Sequence, residues 1–169
     1  MIEIKEVKES ERKMDITNSI LRVLPDWFSN ERAIIDYVNT TVDLPFWAVF
    51  DNGAPVGFLA AKPHSPLHTG LYVMGITPEY QRMSIGRGLF NIFQNYCIKN
   101  NYRYISVKTL DSLCNYEPYN KTRKFYEAMG FQPFEVIKEI WDDENPCLIM
   151  IKDLKDFNNS YKCRSNNNG

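Results

Sequence analysis

The chain opens on an alternation, Ile-Glu-Ile-Lys-Glu-Val over residues 2–7, which predicts a strand with one buried face. Helical spacing follows over residues 10–24 and 30–41, interrupted by Pro25-Asp26-Trp27-Phe28-Ser29. Apolar runs at 45–50 and 55–62 read as two strands, and Asp51-Asn52-Gly53-Ala54 between them carries the Asn-Gly signal of a tight hairpin. Residues 62–70, which contain Pro63 and Pro66, predict a loop, and residues 71–76 a further strand. Beyond Ser84, Ile85, Leu89, Ile92, Phe93, Tyr96 and Cys97 recur at helical spacing and form one apolar stripe. Residues 104–108 predict a strand, 110–118 a loop, and 119–129 a helix ended by Gly130, a favoured residue just past a helix. Strands at 131–140 and 147–151 flank the polar turn at 142–146. The Asn- and Ser-rich residues 155–169 predict a disordered tail, leaving one domain over residues 1–154. This order predicts a mixed α/β (α+β) domain whose sheet is mostly antiparallel.

Composition adds exclusions. The chain is 44% hydrophobic and 24% charged, enough apolar material for a core without disulfide or metal staples. A net charge of −1 gives no reason to expect nucleic-acid binding, although a local anion site is compatible with it. The N-terminal residues are charged, and no apolar run approaches membrane-span length, so the expectation is a cytoplasmic protein without a membrane partner. Cys97, Cys114, Cys147 and Cys163 form no Cys-x-x-Cys pair, and His64 and His68 are remote from them, so no metal site is expected. Cys97 lies on the apolar helical stripe and reads as a small buried hydrophobe.

The unusual stretch is Ile76-Thr77-Pro78, then Gln81-Arg82-Met83-Ser84-Ile85-Gly86-Arg87-Gly88. Glycine weakens a helix, yet two stand in its first turn. Ser84 is a candidate N-cap. The backbone N–H groups at a helix start lack intrahelical acceptors and sit at the positive end of the helix dipole, where a phosphate is a natural occupant. Gln81, Arg82 and Arg87 would add donors and charge. The plainer alternative is a capped turn with packing glycines. A Walker loop is excluded, because no Gly-Lys-Ser/Thr follows. A dinucleotide fingerprint fits poorly, because Gly-x-Gly-x-x-Gly is absent and the preceding strands read as antiparallel.

This stretch resembles the pyrophosphate loop of the GNAT family of N-acetyltransferases, Gln/Arg-x-x-Gly-x-Gly/Ala after a strand ending Val-x-Pro, with Ser84 where the family usually has its first glycine. A second segment, from Arg123-Lys124-Phe125-Tyr126 to Met129-Gly130-Phe131, is similar to the family's later helix, which ends Phe/Leu-Tyr-x-x-x-Gly-Phe. The family's asparagine near the start of that helix falls on Tyr119, with Asn120 one place late. The resemblance implies a GNAT-type acyltransferase fold and an enzyme that moves acetyl from acetyl-CoA, without metal, to a primary amine by direct attack. It implies that Gln81, Arg82, Met83, Ser84, Ile85, Gly86 and Arg87 hold the diphosphate. Backbone groups near Met74 and Ile76 would orient the pantetheine arm and acetyl carbonyl, with a β-bulge at Gly75 freeing an N–H. Tyr126 would protonate the departing thiolate; a structural tyrosine is the alternative.

The general base is not given by the resemblance. Many relatives use a glutamate on the strand at 71–76, which here carries no carboxylate. His64 and His68 titrate in the right range but could equally be surface residues, and Asp111 and Glu117 compete with them. Trp27, Phe28, Trp141 and the two histidines are expected around the acceptor, a small-molecule or peptide amine. Asp142-Asp143-Glu144 could attract a cation or form a solvated turn. Self-association as a homodimer is also expected. The competing reading is a catalytically weak acyl-CoA-binding or sensing domain of the same fold.

Overall fold

The computed structural model describes residues 1–155, so the tail expected over 155–169 lies, but for Lys155, outside the described residues. Strand β1 (Ile2–Glu6) precedes helices α1 (Ser10–Leu21) and α2 (Glu31–Thr41). Strands β2 (Phe46–Asp51), β3 (Ala54–Ser65) and β4 (His68–Ile76) follow, then α3 (Ile85–Lys99), β5 (Tyr104–Leu110), α4 (Glu117–Ala128), β6 (Gln132–Asp142) and β7 (Asn145–Asp153). The seven strands form one sheet in the order β1-β2-β3-β4-β5-β7-β6. Every neighbouring pair is antiparallel except β4 and β5, which run parallel. Among the described residues no helix is long and apolar enough to cross a membrane.

The central strands are buried on both faces, which is why β2 reads as the unbroken apolar run Phe-Trp-Ala-Val-Phe. Period-two alternation divides that run. Phe46, Ala48 and Phe50 join Ile16, Ile20 and Leu21 under α1 and α2. Trp47 and Val49 join Leu89, Phe93 and Ile105 under α3 and α4. Cys97 is fully buried there, and burial pushes its thiol up to about 12, so it packs as a hydrophobe.

Most expected boundaries hold within a few residues, and the differences have local causes. Asn52 and Gly53 both take positive φ, as a two-residue hairpin turn requires. The first helix stops at Leu21; residues 23 and 24 bond only to carbonyls three back, as Pro25 approaches. The last helix starts two residues early, because Pro118 fits a first helical turn. The loop expected over 62–70 is instead a hairpin. β3 continues to Ser65, β4 begins at His68, and only Pro66 and Leu67 turn between them.

Two features of β4 shape the site. Its pairing with β3 shifts where Ala60 faces Val73 and Ala61 faces Leu71, so Tyr72 is the extra, bulged residue. The bulge expected at Gly75 is therefore displaced to Tyr72; Gly75 pairs regularly with Phe58. Gly75 serves packing: a Cβ there would lie 3.0 Å from both Ile20 Cγ2 and Leu24 Cδ1. The second feature is that the β4–β5 ladder ends at Leu71 and Val107, although both strands run on. Gly75→Ala should lower stability by about 1–3 kcal/mol through overpacking against α1, read as a lower urea midpoint with unchanged slope.

Candidate active site

Where the ladder ends, β4 and β5 splay and leave a cavity of about 270 Å³. Met74, Gly75 and Ile76 line it from β4, Val107 and Thr109 from β5, and Phe125 and Tyr126 from α4. Leu24, Trp27 and Phe28, from the α1–α2 connection, line it as well. That connection is tied to α4: Trp27 Nε1 donates to Thr122 Oγ1 (3.0 Å) and to the Pro118 carbonyl (3.3 Å), and the Tyr119 hydroxyl donates to the Trp27 carbonyl (3.3 Å). Thr109 is one of three buried side chains, with Thr69 and Gln94, whose oxygen has no partner among the described residues.

Beside this cavity lies the start of α3. Ile76 is followed by a 3-10 turn, Pro78–Tyr80, pinned to β2 by the Tyr80 hydroxyl donating to Asp51 Oδ2 (2.6 Å). Gln81 spends its amide on the Pro78 carbonyl and its side-chain Nε2 on the Ile76 carbonyl (3.0 Å). From there the chain alternates hand: Arg82 has φ +64° and Ser84 φ +61°. Such alternation turns successive N–H groups toward one side and makes an anion nest. The N–H groups of residues 82–87 find no acceptor among the described residues; pairing resumes with Gly88 on the Ser84 carbonyl (3.1 Å). Arg82 and Arg87 are in no ion pair among the described residues.

The geometry corrects one expectation. Ser84 stands at the N-cap position but makes no side-chain cap bond, because its backbone is left-handed rather than extended. The glycines serve close packing as well as the loop. A Cβ on Gly86 would meet Met74 Cε at 3.1 Å and Ile76 Cδ1 and Phe125 Cε2 at 3.3 Å; one on Gly88 would meet Ile4 Cδ1 at 3.2 Å. Gly86 thus lets α3 sit against the lip of the cavity between β4 and α4.

Tyr126 is buried between Phe125 and Phe131, each 5.6 Å away centroid to centroid, and lines the cavity. Burial first, then its neighbours Tyr119 and Tyr37, pushes its phenol well above the usual value. It is therefore a fully protonated donor at neutral pH. Asn120 is occupied elsewhere, bonded to Asn115 and Arg123, while Arg123 fastens α4 to the Leu110 carbonyl at the end of β5.

A second cavity of about 300 Å³ adjoins the first and shares Tyr37, Tyr72, Lys108 and Trp141 with it. His64 lines it; His68 lines neither cavity. The two imidazoles stack, with centroids 4.8 Å apart, and His68 Nε2 lies 2.6 Å from Ser106 Oγ. Asp111 and Glu117 line neither cavity: Asp111 accepts from the Leu113 amide (3.3 Å), and Glu117 is exposed in the first turn of α4. Asp142, Asp143 and Glu144 are exposed and line neither cavity, although they follow Trp141, which lines both, and Asp142 bonds to Asn145. Sequence reasoning missed Tyr37, Tyr72, Tyr119 and Lys108. The first three signal only as aromatics in amphipathic elements, and the bulge that redirects Tyr72 leaves no mark in composition.

The family model described as Acetyltransferase (GNAT) domain matches residues 43–133, more than half of the chain and both signature segments as far as Pro133. No curated protein matches the sequence. Solved structures do. A GNAT-family protein from Desulfovibrio desulfuricans superposes with TM-score 0.79 at 15% identity, over 91% of this chain and 99% of that one. A GNAT-family acetyltransferase from Elizabethkingia anophelis with acetyl-CoA bound gives 0.69 at 14%, over 90% and 98%. The ribosomal-protein-S18-alanine N-acetyltransferase of Escherichia coli gives 0.72 at 14%, over 90% and 94%.

Desolvation lowers the proton affinity of both histidines, and His64 is lowered further by His68, Lys108 and Lys62. An NMR titration should show both rings losing their protons below the ordinary value of 6.5. Because folding favours the neutral rings, the stability they contribute is full above that value and is lost as pH falls through the window between it and the lower folded values.

Proposed function

The chain belongs to the GNAT family of acetyltransferases, and from that premise we propose that it transfers acetyl from acetyl-CoA to a primary amine by direct attack. The observation that carries this reading is the run of N–H groups at residues 82–87, unpaired among the described residues, which begins one residue past Gln81 in the cavity wall and packs Gly86 against Met74, Ile76 and Phe125 of that wall. Its chemistry fits a diphosphate: several amides, the positive end of α3, and Arg82 and Arg87 nearby, with no metal ligand required. The adjoining cavity fits a pantetheine arm, being a mostly apolar slot edged by strand backbone.

When bound, acetyl-CoA supplies a thioester whose carbon–sulfur bond breaks as the amine nitrogen bonds to the carbonyl carbon. The bulge at Tyr72 breaks the regular β3–β4 ladder beside the cavity, and an amide released there would donate to the developing oxyanion. Tyr126 donates a hydrogen bond to the departing sulfur. A phenol raised by burial is a weaker acid than an ordinary thiol near 8.5, so it stabilises the departing thiolate by hydrogen-bond donation. The amine must lose a proton; a free amine near pKa 10 is about one-thousandth neutral at pH 7. His64 is the base favoured here: its ring is neutral at pH 7 and it lines the cavity contiguous with the first. His68 acts through it, holding the His64 ring by stacking while Ser106 fixes its own.

A second reading, an acyl-CoA-binding domain of weak turnover, is favoured by one observation: no carboxylate lines the first cavity. Thiol release with a panel of amines separates the two, since binding without release would establish the second.

Two substitutions test the assignment. Gly86→Glu drives bulk and negative charge against Met74, Ile76 and Phe125, and should abolish thermal stabilisation by acetyl-CoA; an unchanged shift would remove the loop from the site. Tyr126→Phe keeps the ring packing and should lower kcat by about 100-fold with acetyl-CoA affinity nearly unchanged, and His64→Gln should also lower kcat; a full-rate variant at either position would end that residue's role.

A further inference from the structure

The second cavity carries an unbalanced charge. Among the described residues Lys62, His64 and Lys108 line it, against one carboxylate, that of Asp36. Neither lysine is in an ion pair or side-chain hydrogen bond among the described residues; the Lys62 ammonium lies 5.1 Å from the centroid of the Tyr72 ring. The three cationic or titratable groups share one face of adjoining strands. Lys62 on β3 pairs with Gly70 on β4, Gly70 pairs with Ser106 on β5, and Lys108 follows two residues on. Gly70 makes the hollow between them, for a Cβ there would come within 3.0 Å of His64 Nε2. Among the described residues Asp36 is the one carboxylate in its lining; the acidic turn at 142–144 follows Trp141 but does not line it.

We propose that the second cavity is the acceptor site, and that it selects an amine that also carries an anionic group, a carboxylate or a phosphate, held by Lys62 and Lys108. The inference rests on the acetyl-transfer reading, which places the amine at the junction of the two cavities beside Tyr72. The anion lies between Lys62 and Lys108, on the second-cavity side of that junction. Lysines suit this task as compact point charges without the geometric demand of a guanidinium fork. The same wall repels polyamines, so selectivity comes from rejection as well as attraction.

The test uses the full chain with coenzyme A bound and reads the imidazole signals of the two histidines, the only ones in the sequence, assigned with His64→Asn. L-Tyrosine is compared with tyramine, phosphoethanolamine with ethanolamine, and spermidine stands for cationic amines. At least one anionic amine should shift the His64 signal saturably at a concentration lower by about tenfold or more than its uncharged-ended counterpart, and Lys108→Glu or Lys62→Glu should erase that preference. A response to tyrosine alone assigns a carboxylate; a response to phosphoethanolamine alone assigns a phosphate. Equal responses within both pairs, a stronger response to spermidine, or no response to any of the five overturns the proposal. Thiol release from acetyl-CoA is measured with the same amines. Charge-selective binding without release would keep the anionic site and sink acetyl transfer; release with tyramine and spermidine but without either anionic amine would do the reverse.

Discussion

The end of the parallel ladder at Leu71 and Val107 is the constraint on which the rest of the molecule depends. A sheet interior normally pairs each strand edge, because an unpaired buried backbone group costs about as much as a lost hydrogen bond. Here two central strands stop pairing while both remain long, so a slot with polar edges opens inside an otherwise apolar layer. The bulge at Tyr72 falls next to the last pair, and the extra residue redirects β4 away from β5. Helices on both faces keep the slot from collapsing: α1 packs against Gly75 from one side, and α3 and α4 close on Gly86 from the other.

The start of α3 is built by the same logic of withheld partners. Residues 82–87 present amides without a partner among the described residues, and the alternating hand at Arg82 and Ser84 aims them together. A left-handed backbone at a residue with a Cβ costs roughly 1–2 kcal/mol, and the surrounding structure has to hold it. Gln81, bonded to Ile76, and Tyr80, bonded to Asp51, provide that hold from either side of the turn. The strain sits beside the proposed ligand contact, where an ordered nest has most effect.

Much of this was legible from the residues. Continuous apolar runs marked the central strands, Asn52-Gly53 marked its hairpin, and helical spacing after Ser84 marked α3. Pattern reasoning failed where tertiary geometry overrides local signals. Two prolines suggested a loop at 62–70, yet Pro63 is accommodated by a register irregularity and Pro66 sits in the two-residue turn. Gly75 suggested a bulge, but the glycine answers to the side chains of Ile20 and Leu24, which no local window contains. Tyr37 and Tyr119 reach the cavity through packing between distant elements, so sequence spacing could not single them out among many aromatics.

The two indole hydrogen bonds of Trp27 and the Tyr119 bond to its carbonyl join the connection between the first two helices to the helix that bears Tyr126. That fastening makes the covering over the slot and the platform of the phenol a single mechanical unit. Diversification of this chain is thereby constrained. Reshaping the Trp27 segment to admit a bulkier acceptor would also tilt Tyr126, the donor proposed for the leaving sulfur, so new specificities would require paired changes on both sides of the fastening rather than single steps.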